Sequence, residues 1–186
     1  MINTLYINVL QSRQKPLIQE FCDSFGDDGV WVTDTIYRMD VTEDGRIQFK
    51  MSLSSFEADL GSNICAVSGV KDDELMLVAL ECATRYALGK MVDLSDVMLM
   101  CVWDKESSLL NATSAKLKDL SAEILDTIRM YFYTSQNAVL AAKQLYLHRN
   151  TFNYRLDKFS EKTNMDIRNP HIAQYLYQYF ILIERN

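Results

Sequence analysis

The chain is poor in the residues that punctuate, staple or catalyse: 186 residues hold two prolines, six glycines, two histidines and four cysteines. The glycines never fall into G-x-G-x-x-G or P-loop spacing, so no phosphate-cradling loop is predicted. His148 and His171 each lack a second plausible ligand three or four residues away on an apolar helix face. Cys22, Cys65, Cys82 and Cys101 are far apart, with no C-x-x-C pair, and sit among apolar neighbours. They are expected to be reduced core thiols, and neither a metal site nor a cofactor is expected. No apolar run reaches the roughly 18 residues of a membrane span. Met1-Ile2-Asn3-Thr4 lacks the basic start of a signal peptide, so a cytoplasmic location is the default expectation.

Acidic clusters exist at Asp27-Asp28, Asp72-Asp73-Glu74 and Asp93-x-x-Asp96. Each reads as turn or helix-start chemistry, because carboxylates favour the positive end of a helix dipole. No nucleophile or acid–base pair stands out, and a non-enzymatic protein is predicted. Hydrophobic residues make up 48% and charged residues 24%, the balance of a globular chain rather than a disordered one.

The net charge of -6 argues at first against a nucleic-acid partner. Its distribution reverses that impression. Residues 137–186 carry seven Lys/Arg against four Asp/Glu, a balance of +3, and residues 1–136 carry twelve against twenty-one, or -9. The asymmetry divides the chain into two functional parts.

The predicted organisation is α+β, a small N-terminal α/β sheet domain followed by an all-α helix-turn-helix domain. Residues 4–10 read as a first strand and residues 15–24 as a helix, with Gly26 and Gly29 breaking the pattern. Residues 30–41 and 47–53 are β-rich runs. The intervening Thr42-Glu43-Asp44-Gly45-Arg46 has turn chemistry, so they are expected to pair as a hairpin. Residues 63–70 suit a buried strand and residues 73–88 a helix stopped by Gly89. Periodicity does not decide whether residues 97–103 form a closing strand or a short helix, and the strand is preferred. The domain is predicted to span residues 1–106, a polar link residues 107–119, and the helical domain residues 120–186.

In the helical part Leu120, Ile124, Leu125, Ile128, Tyr131 and Phe132 line a first helix. Asn137 is a candidate cap for a second, which carries Val139, Leu140, Ala142 and Leu145. A third begins near His148 with Phe152, Leu156 and Phe159 inward. Asn169-Pro170 then signals a fourth, reaching about residue 183. Its apolar residues, Ile172, Tyr175, Leu176, Tyr179, Phe180, Ile181 and Ile183, cover more than one face and suit either the core or a second subunit.

The second and third helices meet the needs of a helix-turn-helix: a small residue at the crossing, apolar locks, and a polar, partly basic face on the third. Arg149, Asn150, Asn153, Arg155 and Lys158 supply donors suited to base edges and phosphates. The string Leu147-His148-Arg149-Asn150-Thr151-Phe152-Asn153-Tyr154-Arg155-Leu156 resembles the C-terminal domain of the PucR (CdaR-like) family of bacterial regulators. Leu125-Asp126-Thr127-Ile128, Ala141-Ala142-Lys143-Gln144-Leu145 and Asp166-Ile167-Arg168-Asn169-Pro170 fit the same pattern, and the recognition block is also similar to Fis-type proteins.

The resemblance implies a transcription regulator whose third helix, residues 148–160, enters the major groove of double-stranded DNA. His148, Arg149, Asn150, Thr151 and Asn153 are then expected at the groove, with Arg155 and Lys158 nearer the backbone; Asn137, Lys143 and Tyr154 complete the candidate set. Tyr154 is read alternatively as a core contact, His148 as a helix cap, Thr151 as a capping or packing residue, and Arg155 as a partner of Asp157 or Glu161. The segment from Ile64-Cys65-Ala66-Val67-Ser68 to Tyr86-Ala87-Leu88-Gly89 resembles the end of the family's GGDEF-like domain. It implies a degenerate regulatory or dimerisation domain, since no Gly-Gly-Asp/Glu-Glu-Phe run is present. A homodimer reading paired half-sites and a small-molecule effector are the further partners expected. The rival reading is a protein-binding adaptor whose helix-turn-helix no longer reads DNA.

Overall fold

The structure, a computed structural model, describes residues 2–9 and 12–184. It has the predicted α+β organisation: a five-stranded sheet with its helices comes first, and helices alone follow. Two compact units divide at Leu109/Leu110. Among the described residues no helix is long and apolar enough to cross a membrane.

In the first unit β1 (Ile2–Val9) is central and antiparallel to β3 (Ile36–Thr42) on one side and β4 (Ile64–Gly69) on the other. Edge strand β2 (Gly26–Trp31) pairs with β3, and β5 (Lys90–Asp93) lies parallel to β4, giving the order β2-β3-β1-β4-β5. With α1 (Lys15–Asp23) between β1 and β2 and α2 (Glu43–Leu60) between β3 and β4, the first four strands trace a split β-α-β-β-α-β unit. Alternation along β1 sends Leu5, Ile7 and Val9 to a core shared with Ile18 and Cys22 of α1 and Phe49 and Leu53 of α2.

Three expectations are corrected, two within this unit and the third where the second unit begins. Residues 47–53 are helical rather than a strand. Thr42 is the N-cap of α2, its hydroxyl accepting from the Gly45 N–H at 3.1 Å, so the supposed turn is a helix start. Phe49, Leu53, Phe56 and Leu60 recur at helical spacing and pack inward, where Phe56 stacks on Phe21 at 3.8 Å between centroids; Met51 is 77% exposed. Gly45 allows the first turn to pass the Phe25 carbonyl oxygen, which a Cβ there would approach to 2.3 Å. Consequently the hairpin is β2–β3, inside what read as one strand with a broken lead-in. Residues 97–103 belong to α4 (Leu94–Trp103), because Leu94, Val97, Met98 and Cys101 are buried at helical spacing and Asp93 with Asp96 forms a capping box at its start. Short β5 closes the sheet instead.

The acidic run before α3 (Asp73–Tyr86) caps as expected, Asp72 accepting from the Leu75 N–H at 2.9 Å. The third correction concerns residues 107–119, which hold α5 (Ser108–Leu117) instead of an irregular link. Leu109, Thr113 and Leu117 recur every four residues and are buried. The small polar residues that suggested a link satisfy their hydroxyls internally: Thr113 hydrogen-bonds Tyr175 and Ser114 hydrogen-bonds Tyr179, both of α9 (Pro170–Glu184).

The second unit continues with α6 (Ala122–Tyr133), α7 (Ala138–Gln144) and α8 (Arg149–Thr163) before α9. Ile124 and Ile128 of α6, Phe152, Leu156 and Phe159 of α8, and Ile172, Tyr175, Leu176, Tyr179 and Phe180 of α9 are buried. The apolar breadth of α9 is therefore largely spent within the chain's own core.

Candidate nucleic-acid interface

Helices α7 and α8 form the predicted helix-turn-helix, and each end is specified by a local device. Asn137 caps α7, its side-chain oxygen accepting from the Leu140 N–H at 3.0 Å. The turn closes as a Schellman motif, with Leu147 N–H on the Ala142 carbonyl at 2.9 Å and Tyr146 N–H on the Lys143 carbonyl at 3.1 Å. The left-handed position of that motif usually takes glycine; here Tyr146 occupies it at φ 55°. His148 then caps α8, Nδ1 accepting from the Asn150 N–H at 3.3 Å. An imidazole accepting at Nδ1 carries its proton on Nε2, which remains a donor on an exposed ring.

Close approach of the two helices is allowed by Ala141 and Ala142, both buried, with Leu145 half-buried. Val139 and Leu140, the other apolar residues of this helix, are exposed. On α8 the inward stripe is Phe152, Leu156, Phe159 and Thr163. A stripe at that spacing turns Arg149, Asn150, Thr151, Asn153 and Tyr154 outward, and all five are exposed. Tyr154, at 59% exposure, is not a core contact.

The outer face is not uniformly available. Arg155 is half-buried: its Nη2 meets Glu123 Oε2 at 2.8 Å, and its Nη1 reaches Thr127 Oγ1 and the Glu123 carbonyl at 3.4 Å. Its partner lies on α6 rather than at Asp157 or Glu161, so it ties α8 to α6. Lys158 pairs with Glu161 at 2.6 Å, which raises its pKa, and lies 5.7 Å from the Tyr154 ring centroid. Asp157 is taken by Arg168 at 2.7 Å. Exposed Lys143 and Arg149, by contrast, have no acidic partner among the described residues. Lys143 in the last turn of α7 and Arg149 in the first turn of α8 thus place unpaired positive charge on either side of the bend, with the helix dipole adding a partial positive charge beside Arg149; Lys118 and Lys162 are exposed and without an acidic partner among the described residues elsewhere in the unit.

One exposed residue escaped sequence reasoning. Tyr146 is 97% exposed in the turn, directly before Leu147 and His148. Its signal was the absence of glycine where the helix-turn-helix bend requires positive φ.

Residues 124–179 match the PucR C-terminal helix-turn-helix domain. The chain is 36% identical over 81 residues to YxkF of Bacillus subtilis (strain 168), covering 44% of this chain and 27% of that protein. It is 31% identical over 80 residues to the proline-responsive transcriptional activator PutR of the same organism, covering 43% of this chain and 20% of PutR. The chain thus matches well under two thirds of the length of either relative. Among solved structures it resembles a regulator of polyketide synthase expression from Bifidobacterium adolescentis, with a TM-score of 0.48 and 14% identity over 97% of this chain and 79% of that one.

Proposed function

We propose that this chain, which carries a PucR C-terminal helix-turn-helix domain at residues 124–179, is a sequence-specific DNA-binding transcription regulator. The observation that carries the reading is the outer face of α8. A rigid, doubly capped helix presents Arg149, Asn150, Thr151 and Asn153 together, next to the His148 ring and to cations not spent on internal pairs. Arginine suits guanine and asparagine suits adenine in the major groove, where each base pair shows its own donor–acceptor pattern. Asn137, Lys143 and Tyr154 flank that face and suit phosphate contacts. Arg155 and Lys158 contribute by holding or lining the helix more than by reading bases.

The sheet domain, with its split β-α-β-β-α-β order, serves in this proposal as the degenerate GGDEF-like regulatory or dimerisation part. The regulator acts as a bacterial, cytoplasmic homodimer, since paired half-sites supply the surface that a single module of this size lacks, and it answers to a small-molecule effector.

Selection of bound fragments from the source genome tests the proposal. Enrichment of discrete sites is expected, with affinity that falls steeply as salt rises, because released counterions drive phosphate contact. Folded protein that enriches no sequence would replace this reading with the protein-binding adaptor.

A further inference from the structure

The fold assembles a cluster that no spacing in the sequence announces. Cys82 of α3, Cys101 in the last turn of α4 and Glu106 in the connection to α5 place their donor atoms within 4.8 Å of one another. We propose that this cluster is a binding site for one borderline-soft divalent cation, with zinc the best match.

Four observations carry the proposal. The Cys82 Sγ to Glu106 Oε1 separation is 3.5 Å; a sulfur at about 2.3 Å and an oxygen at about 2.0 Å from a tetrahedral zinc stand roughly 3.5 Å apart. Two thiolates with a carboxylate select zinc or cobalt over magnesium or calcium, which prefer oxygen alone. Both thiols are 1% exposed, whereas the Glu106 side chain is 23% exposed and opens the cluster to solvent on one side. Finally, Arg85 and Ser108 form the outer layer such a site requires. Arg85 Nη2 lies 2.7 Å from Glu106 and 3.6 Å from Cys82 Sγ, and Ser108 Oγ lies 2.7 Å from Glu106 Oε1 and 3.3 Å from Cys82 Sγ. They fix the carboxylate's orientation. Two thiolates and one carboxylate bring three negative charges, which the dication and the Arg85 guanidinium neutralise together. A water completes the fourth position. On binding, each thiol loses its proton to solvent, so two protons leave for each cation taken up.

The full chain, reduced and kept anaerobic, would be titrated with Co²⁺ and then Zn²⁺. Expected are one cobalt per chain, an intense sulfur-to-cobalt charge-transfer absorption with tetrahedral ligand-field bands, release of two protons per metal in weak buffer, and displacement by one equivalent of zinc. Cys82→Ser and Cys101→Ser should each remove the charge-transfer absorption while leaving the metal-free far-UV spectrum unchanged, and Ser108→Ala should weaken affinity by about 10–100-fold. Reduced wild-type protein that gives no charge-transfer absorption overturns the site, whether or not peroxide then joins Cys82 to Cys101 as a disulfide. So does absorption that survives the loss of both cysteines. If a serine variant fails to fold, the wild-type stoichiometry and proton count decide alone.

Discussion

The two units differ in where they leave positive charge unpaired. In the sheet unit several basic side chains are drawn into internal networks, where Arg46 bridges Glu43 and Asp93, Arg38 joins Tyr6 on Asp73 and Lys71 meets Asp40, while exposed Lys50, Lys90 and Lys105, without an acidic partner among the described residues, are scattered over α2, β5 and the connection after α4. In the helical unit Arg155, Lys158 and Arg168 are likewise paired, but Lys143 and Arg149 are left exposed on either side of the helix-turn-helix bend, Arg149 beside the N-terminal dipole of α8. The chain's net charge of -6 therefore says little about its partners. What matters is where charge remains unpaired, because a paired cation must first lose its partner before it can meet a phosphate.

The largest effect expected within this contrast is on packing. Phe159→Ala should destabilise the helical unit by about 3–5 kcal/mol, since the ring is wholly buried on the inner face of α8 and its loss leaves a cavity. Urea unfolding followed by amide exchange in α6 and α8 measures it; a cost below about 1 kcal/mol would mean that α8 is not anchored there. Next comes the division of labour between two arginines. Arg149→Ala should weaken DNA binding by roughly 1–3 kcal/mol with an unchanged melting temperature. Arg155→Ala should lower the melting temperature and affect binding through the loosened helix. The opposite pattern in paired melting and binding assays would break the contrast between spent and unspent charge.

A smaller effect concerns the bend. Tyr146→Gly should stabilise the helical unit by about 1 kcal/mol, because glycine adopts the left-handed conformation without the Cβ clash that tyrosine bears at φ 55°. A destabilised variant would show that the exposed ring makes a stabilising contact.

The smallest effect sharpens the sheet side of the comparison. A hydrogen bond from Tyr6, with the Arg38 guanidinium, holds the Asp73 carboxyl below its ordinary value. A depressed folded pKa gives stability that is complete above about pH 4, where an unfolded aspartate ionises, and that is lost as pH falls through the folded value. Since the Asp73 side chain is 45% exposed, the contribution is small. Asp73→Asn should therefore lose stability more gently than wild type between pH 7 and pH 3. Parallel urea midpoints for the two proteins would remove Asp73 from the acid response.

Legibility differed between the units for a physical reason. Beyond α5, the helical unit declared itself through local signals: Asn137, His148 and Asn169-Pro170 mark helix starts by chemistry within a few residues. The sheet unit was misread where one segment carried two compatible signals. Thr42 to Arg46 fits a turn as well as a capped helix start, and residues 97–103 are apolar enough for a strand or a helix. The decision came from partners distant in sequence, such as Phe21 for Phe56. The candidate DNA face was visible as a set of residue types. That Arg155 is a tie to Glu123 was not, because the partner lies 32 positions away.

Composition, and periodicity within a few turns, were enough to establish the α+β division, the acidic and basic halves, the helix-turn-helix and the side of α8 that faces outward. Tertiary structure alone decided which strands pair, that residues 108–117 are helical, which cations remain unspent, and that Cys82, Cys101 and Glu106 meet. Those outcomes depend on contacts between residues far apart in the chain, where burial and charge pairing are settled by what the fold brings alongside rather than by what the sequence places next.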